Sequence, residues 1–225
     1  NKTLKMMISI CYRFNHSNAS KLKNFIEKIL NIENVDINIQ NNGLTLLSCA
    51  CGYNYIEIVQ NLLATDKIDV NICSSRSGNT PLMISLLNDN SEISELLIKD
   101  KRTNLNAINH DNLTALEIAI NKNQLNLVKL LLSNPEIGPS LNEINGQTLL
   151  EKSIVNLNFD IMNEILNFYG DNIQTQINHI NKALNTVLTN FSKDVINQKS
   201  GKKITIESIS NESISSFKVK RKLFS

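Results

Sequence analysis

D-N-L-T-A-L-E-I-A-I-N-K-N-Q-L-N-L-V-K-L-L-L, residues Asp111 to Leu132, carries the plan of the whole chain. Thr114 opens a helix whose apolar positions are Leu116, Ile118, Ala119 and Ile120, and Asn123-Gln124 reads as a break. A second helix follows, with Leu127, Val128, Leu130, Leu131 and Leu132. Each helix is shorter than the roughly 12 to 15 residues an isolated helix needs in water. With the loop that continues to Asn142, this is one unit of turn, helix, turn, helix and loop, and it must stack on a neighbour.

The neighbours are visible as self-similarity. Thr45, Thr80, Thr114 and Thr148 are separated by steps of 35, 34 and 34 residues. Thirteen to eighteen residues after each threonine stands an apolar row: Ile58, Val59, Leu62, Leu63; Ile93, Leu96, Leu97, Ile98; Leu127, Val128, Leu131, Leu132; and Ile161, Met162, Ile165, Leu166. Two residues before each threonine stands Gly43, Gly78, Asn112 or Gly146, residue types suited to a left-handed turn conformation. A period of 20 to 50 residues means a solenoid or array, in which each unit buries its apolar face only against the next.

On these residues the chain resembles an ankyrin-repeat protein. Gly78-Asn79-Thr80-Pro81-Leu82 matches the family's G-x-T-P-L opening, and Leu96-Leu97 follow in the second helix. The closing V-N of the family's repeat appears as Ile37-Asn38, Val70-Asn71, Leu105-Asn106 and Leu141-Asn142. The histidine that often follows T-P-L is replaced by Ser48, Met83, Glu117 and Glu151, so its hydrogen bond between repeats is expected to be missing. Lys152 stands where earlier rows have Cys49, Ile84 and Ile118, which marks the last repeat as degenerate, as terminal repeats tend to be. The resemblance implies an all-α ankyrin solenoid of helix-turn-helix repeats with connecting loops.

Composition sets few further limits. Hydrophobic residues at 41% and charged residues at 20% are ordinary for a soluble protein. A net charge of +2 announces neither a nucleic-acid nor a membrane partner for the chain as a whole. Asn is roughly one residue in six, which with plentiful Ile and Lys reads as AT-rich coding sequence. No window approaches the roughly 18 apolar residues of a transmembrane helix. Leu4 to Cys11 is too short and too interrupted for a signal peptide. The chain begins with Asn rather than Met, which fits a fragment or a processed piece.

The cysteines form no C-x-x-C pair. Cys49 and Cys51, a C-x-C, fall where Ile118 and Ile120 sit in the third repeat and are read as small core hydrophobes. A reducing compartment fits them. No phosphate-binding glycine loop or H-E-x-x-H occurs, and His16, His110 and His179 lack acidic partners at metal-ligand spacing. His110 has no nucleophile placed near it, so contact at a loop tip is favoured over catalysis. Neither cofactor, metal nor catalytic residue is expected.

The resemblance implies that a protein partner meets the loop tips between repeats and the exposed side of the first helices. Through the threonine alignment these positions are Leu44, Tyr53, Arg76, Asn79, His110, Leu113, Lys122 and Gln147. Tyr and Arg are enriched among residues that dominate binding energy. No small-molecule substrate is implied.

The remaining segments flank this array. Residues 1–41 read as a divergent N-terminal repeat with an insertion at Asn15 to Ser20, and 42–171 as four ankyrin-like repeats. In 172–197, Ile173, Ile177, Ile180, Leu184, Val187, Leu188, Phe191 and Val195 form one amphipathic stripe, read as a capping helix. The tail, 198–225, is rich in Ser and Lys, is read as mobile, and ends in the basic cluster Lys218, Lys220, Arg221 and Lys222. Such a cluster suits a nuclear signal or a phosphate contact, but most clusters of this size are solvated tails. The AT-rich composition and imperfect repeats are similar to those of ankyrin proteins from intracellular bacteria or large viruses, which implies a cytoplasmic, host-directed interaction protein. The alternative is the targeting region of a longer multidomain enzyme, to be recognised by a catalytic motif upstream of Asn1.

Overall fold

The computed structural model describes residues 24, 26–28, 35–137, 149–156 and 158–169. The chain divides into two compact units, Asn1–Asp171 and Asn172–Ser225, and every described residue lies in the first. The expected helix over 172–197, the tail with its basic cluster, Thr148 and Gly146 lie outside the described residues.

Eight helices are named among the described residues: α1 (Leu46–Gly52), α2 (Ile56–Leu63), α3 (Pro81–Leu87), α4 (Ser91–Lys99), α5 (Ala115–Asn121), α6 (Leu125–Leu132), α7 (Leu149–Val155) and α8 (Phe159–Tyr169). Each odd-numbered helix packs on the even-numbered one that follows it. The odd helices also stack in sequence, α1 on α3 on α5 on α7, and so do the even ones, α2 on α4 on α6 on α8. This is the two-layered helical array that the repeat implies.

The threonines act as the alignment requires. Thr45, Thr80 and Thr114 hold extended backbone at the N-caps of α1, α3 and α5, and their hydroxyls accept hydrogen bonds from the N–H groups of Ser48, Met83 and Glu117 at 3.1, 3.3 and 3.3 Å. Pro81 follows Thr80 at the first helical position, where a missing N–H removes no bond. Gly43, Gly78 and Asn112 have φ of 80°, 69° and 56°, the left-handed conformation expected of them. Nine residues after each capping threonine the chain turns again through positive φ, at Asn54, Asp89 and Asn123. The break read at Asn123 is thus one instance of a turn in all three repeats.

The core takes most of the expected apolar rows, while Leu63, Leu96, Leu132 and Leu166 are only half-buried. Ile58, Val59, Leu62, Ile93, Leu97, Leu127, Val128, Leu131, Ile161 and Ile165 are all 2% exposed or less. In the second repeat, however, Ser94 occupies the slot of Val59 and Val128 and is fully buried. Its hydroxyl lies 2.8 Å from that of the equally buried Ser85 on α3 and donates to the Asn90 carbonyl at 3.1 Å. Burial of two hydroxyls is tolerated because each finds a partner.

Asparagine side chains link one repeat to the next. Asn38 donates to the Lys67 carbonyl at 2.9 Å and accepts from the Asp69 N–H at 2.9 Å. Asn71 repeats the pattern on the Arg102 carbonyl and the Asn104 N–H, at 2.8 and 2.7 Å, and Asn106 donates to the Glu136 carbonyl at 2.7 Å. These are the asparagines of the closing V-N pairs. Arg102 adds a further tie, with guanidinium bonds of 2.7 and 2.8 Å to the carbonyls of Leu63 and Thr65 at the end of α2. Asp100 holds that guanidinium at 2.6 Å, and the bond from Arg102 keeps the Asp100 carboxyl below its ordinary pKa.

The position after T-x-L also links repeats once, through an ion pair in place of the absent histidine. One carboxylate oxygen of Glu117 accepts from the Thr114 N–H at 2.9 Å and closes a capping box, while the other is bonded to the ammonium of Lys152 on α7. Lys152 is therefore not a defect of a decaying repeat: it neutralises a carboxylate buried in the repeat before it.

Candidate partner-binding surface

Two kinds of segment position the residues expected to meet a partner. The first is the loop ahead of each odd helix. In the first of these loops Asn41 and Leu44 exchange two backbone hydrogen bonds, at 2.9 and 3.1 Å, around the turn at Asn42-Gly43. In the third, the Asn109 side-chain oxygen accepts from the N–H groups of Asp111 and Leu113 at 3.0 and 2.8 Å, and the Asn109 N–H donates to the Leu113 carbonyl. The turn chemistry of Asn and Gly thus folds each loop on itself before any partner is present.

The loops are then tied to one another. The Ser75 N–H donates to the Gly43 carbonyl at 3.1 Å, and the His110 N–H donates to the Ser77 carbonyl at 2.9 Å. Asn109 donates from its amide to the Asn79 side-chain oxygen at 2.7 Å, and the His110 Nδ1 stands 3.2 Å from the Arg76 carbonyl. These bonds gather Arg76, Asn79 and His110 into one cluster across two adjacent loops. Arg76 and His110 are exposed; Leu44, Asn79 and Leu113 are half-buried. His110 serves the loop-to-loop tie through both its backbone N–H and its ring.

The second segment is the last turn of the odd helices. Tyr53 follows α1, is 38% exposed, and stacks its ring on Tyr55 with centroids 6.2 Å apart. Lys122 follows α5, but its ammonium is engaged by Asp89 at 2.9 Å, and that bond holds the Asp89 carboxyl below its ordinary pKa. Lys122 is therefore half of an ion pair with Asp89. Gln147 lies outside the described residues.

Three exposed apolar residues escaped the sequence reading, one of them Phe159 at the start of α8, which is 63% exposed. Leu87, the last residue of α3, is 38% exposed, and Ile108, next to Asn109 and His110, is 56% exposed. Leu87 had a signal, because it stands seven residues after Thr80 where the neighbouring repeats carry Gly52 and Asn121. Nothing in the sequence distinguishes Ile108 from a core isoleucine.

Among the described residues no group of His, Cys, Asp and Glu is arranged to hold a metal ion. Cys49 and Cys51 are buried, and burial pushes the Cys51 thiol far above its ordinary pKa, so it behaves as the core hydrophobe expected of it. Among the described residues no helix is long and apolar enough to cross a membrane.

Comparison with known proteins agrees with the array. The family described as ankyrin repeats (3 copies) matches residues 16–109. The chain is also similar to Alpha-latrotoxin-Lg1a of Latrodectus geometricus, with 35% identity over 94 residues, which is 40% of this chain and 7% of that protein. The matched family is a non-catalytic module that binds proteins. With its periodic threonine caps and helix pairs stacked from Leu46 to Tyr169, the chain is an ankyrin-repeat-containing protein.

Proposed function

We propose that this chain binds another protein through the loop tips and the ends of the odd helices, with Tyr53, Arg76, His110, Leu44 and Leu113 as principal contacts and Leu87 and Ile108 beside them. The observation that carries this reading is the chain of bonds between successive loops, from Gly43 to Ser75 and from Ser77 to His110. Because the loops are tied to one another, little ordering entropy is lost when a partner arrives. The surface offers exposed Tyr, Arg, Leu and Ile side chains, types that supply contact area and planar hydrogen bonding.

A cytoplasmic, reducing location fits the buried Cys51 and the exposed Cys73, neither of which is in a disulfide. A second reading, an array that targets a longer multidomain protein, is favoured by the relative, in which the matched segment is 7% of the length. The full reading frame discriminates between them.

Affinity capture from cell extract tests the binding surface. The variant carrying Tyr53→Ala, Arg76→Ala and Leu113→Ala together is expected to lose a partner that the wild-type chain retains, by at least about tenfold, since each such anchor is worth more than about 1 kcal/mol. Unchanged helical content by circular dichroism secures the comparison. Equal capture by both chains would move the site elsewhere.

A further inference from the structure

We propose that the fourth repeat, α7 with α8, docks and undocks as one unit on the rest of the array, and that the buried pair of Glu117 and Lys152 is the key to that joint. The joints between successive repeats are built differently. Where α1 meets α3 and α3 meets α5, the residues three and four places after the capping threonine are Ser48 and Cys49, then Met83 and Ile84; the fourth repeat carries Glu151 and Lys152 in these slots, and the run of charge opens at the third repeat with Glu117. Its side chain is 2% exposed, and that of Lys152, which answers it from α7, is 10% exposed.

The even helices show the same gradient. Asn90 reaches the Cys51 carbonyl at the end of α1 at 2.7 Å, and Gln124 reaches the Leu86 carbonyl on α3 at 2.9 Å. Among the described residues, the amide of the equivalent Asn158 donates across the joint to the exposed side chain of Asn123, at 3.2 Å, rather than to a carbonyl. Beside it, Lys129 and Glu164 make a solvent-exposed ion pair between α6 and α8 at 3.2 Å. Among the described residues, the joint between the third and fourth repeats therefore combines a desolvated ion pair with weak polar links.

Opening that joint returns Glu117 and Lys152 to water, which repays their lost hydration. Opening an apolar joint repays nothing of the kind. The array should thus part first between the third and fourth repeats, exposing the faces of α5 and α6. In a solenoid, neighbouring interfaces contribute separately to stability, so such an opening leaves the other repeats folded. Glu117 also ties the opening to the local helix, because the carboxylate that meets Lys152 is the one that caps α5 through Thr114.

Hydrogen exchange on the full chain, followed by mass spectrometry in peptides from α3–α4 and α7–α8, tests this. In the wild type, α7 and α8 should exchange together and at least about tenfold faster than α3–α4, as a sub-global opening requires. Lys152→Ala leaves the Glu117 carboxylate buried alone and should speed exchange in α7–α8 by about 100-fold or more with α3–α4 unchanged. The double variant Glu117→Met with Lys152→Met replaces the pair by apolar groups and should slow exchange in α7–α8 below the wild-type rate. That last result separates a keyed joint from ordinary fraying of an end repeat, and it stands even where Lys152→Ala unfolds the chain. Exchange of α7–α8 at the α3–α4 rate in the wild type, an equal acceleration of all repeats by Lys152→Ala, or an apolar pair that exchanges as fast as wild type would each overturn the proposal.

Discussion

Leu131→Ala should lower stability to urea by about 2 to 5 kcal/mol, the range for truncating a fully buried leucine. Leu131 is 0% exposed on α6, a helix that packs on α4, α5 and α8. The void would therefore be lined from several helices that cannot all collapse into it. Lys122→Ala is the control: its side chain is 35% exposed and its ammonium bonds the exposed carboxylate of Asp89, so the unfolding midpoint should hardly move. Equal, small effects of the two changes would show that the repeat register is misplaced.

The second large effect is expected from a single methyl group. Gly78 has φ of +69°, and a Cβ placed there would stand 2.8 Å from the backbone nitrogen and 2.6 Å from Cδ2 of His110. Gly78→Ala should thus cost about 1 to 2 kcal/mol for the left-handed conformation and about 1 to 3 kcal/mol more for forcing the two loops apart. The backbone nitrogen it displaces is the donor to the Ser77 carbonyl, so the tie between loops weakens as well. Gly52→Ala should act in the opposite direction. That glycine lies in α1, has no positive φ, and its added Cβ would meet Ile84 at an ordinary 3.4 Å. Removing a helical glycine should stabilise by about 0.5 to 1 kcal/mol. Thermal unfolding of the two variants side by side checks both signs.

These contrasts show what the sequence could and could not express. Thr45, Thr80 and Thr114 were legible because one hydroxyl at one spacing performs the same capping bond each time, and the rows behind them because a buried helix face has a fixed period. Local chemistry of that kind is written in order along the chain. The links between repeats are not, since Asn38, Asn71 and Asn106 reach partners 29 to 31 residues away through their side-chain amides. The V-N pairs were visible; their bridging role was not. Glu117 and Lys152 each read as a departure when taken singly, and only their meeting 35 residues apart shows that the two departures compensate one another. Ser94 hid inside an apolar row because Ser85, its partner, is polar on the other helix.

The surface was legible to the level of its segments. The loop tips stand where the alignment put them, yet which side chains remain available depends on pairings that cross repeats. Lys122 is engaged by Asp89, Asn79 by Asn109, and exposed Leu87 and Ile108 enter only once the packing is known. The ties that join one loop to the next are likewise a property of the folded array, formed by residues more than 30 apart in the chain.

The footprint of a captured partner on the chain examines the binding account most directly. With the partner bound, hydrogen exchange should slow in the loops at 41–44, 75–79 and 109–113 and at the ends of α1 and α3, while the outer turns of α2, α4 and α6 exchange as before. Protection confined to the even helices, with the three loops unchanged, would contradict the account and place recognition on the opposite layer of the array.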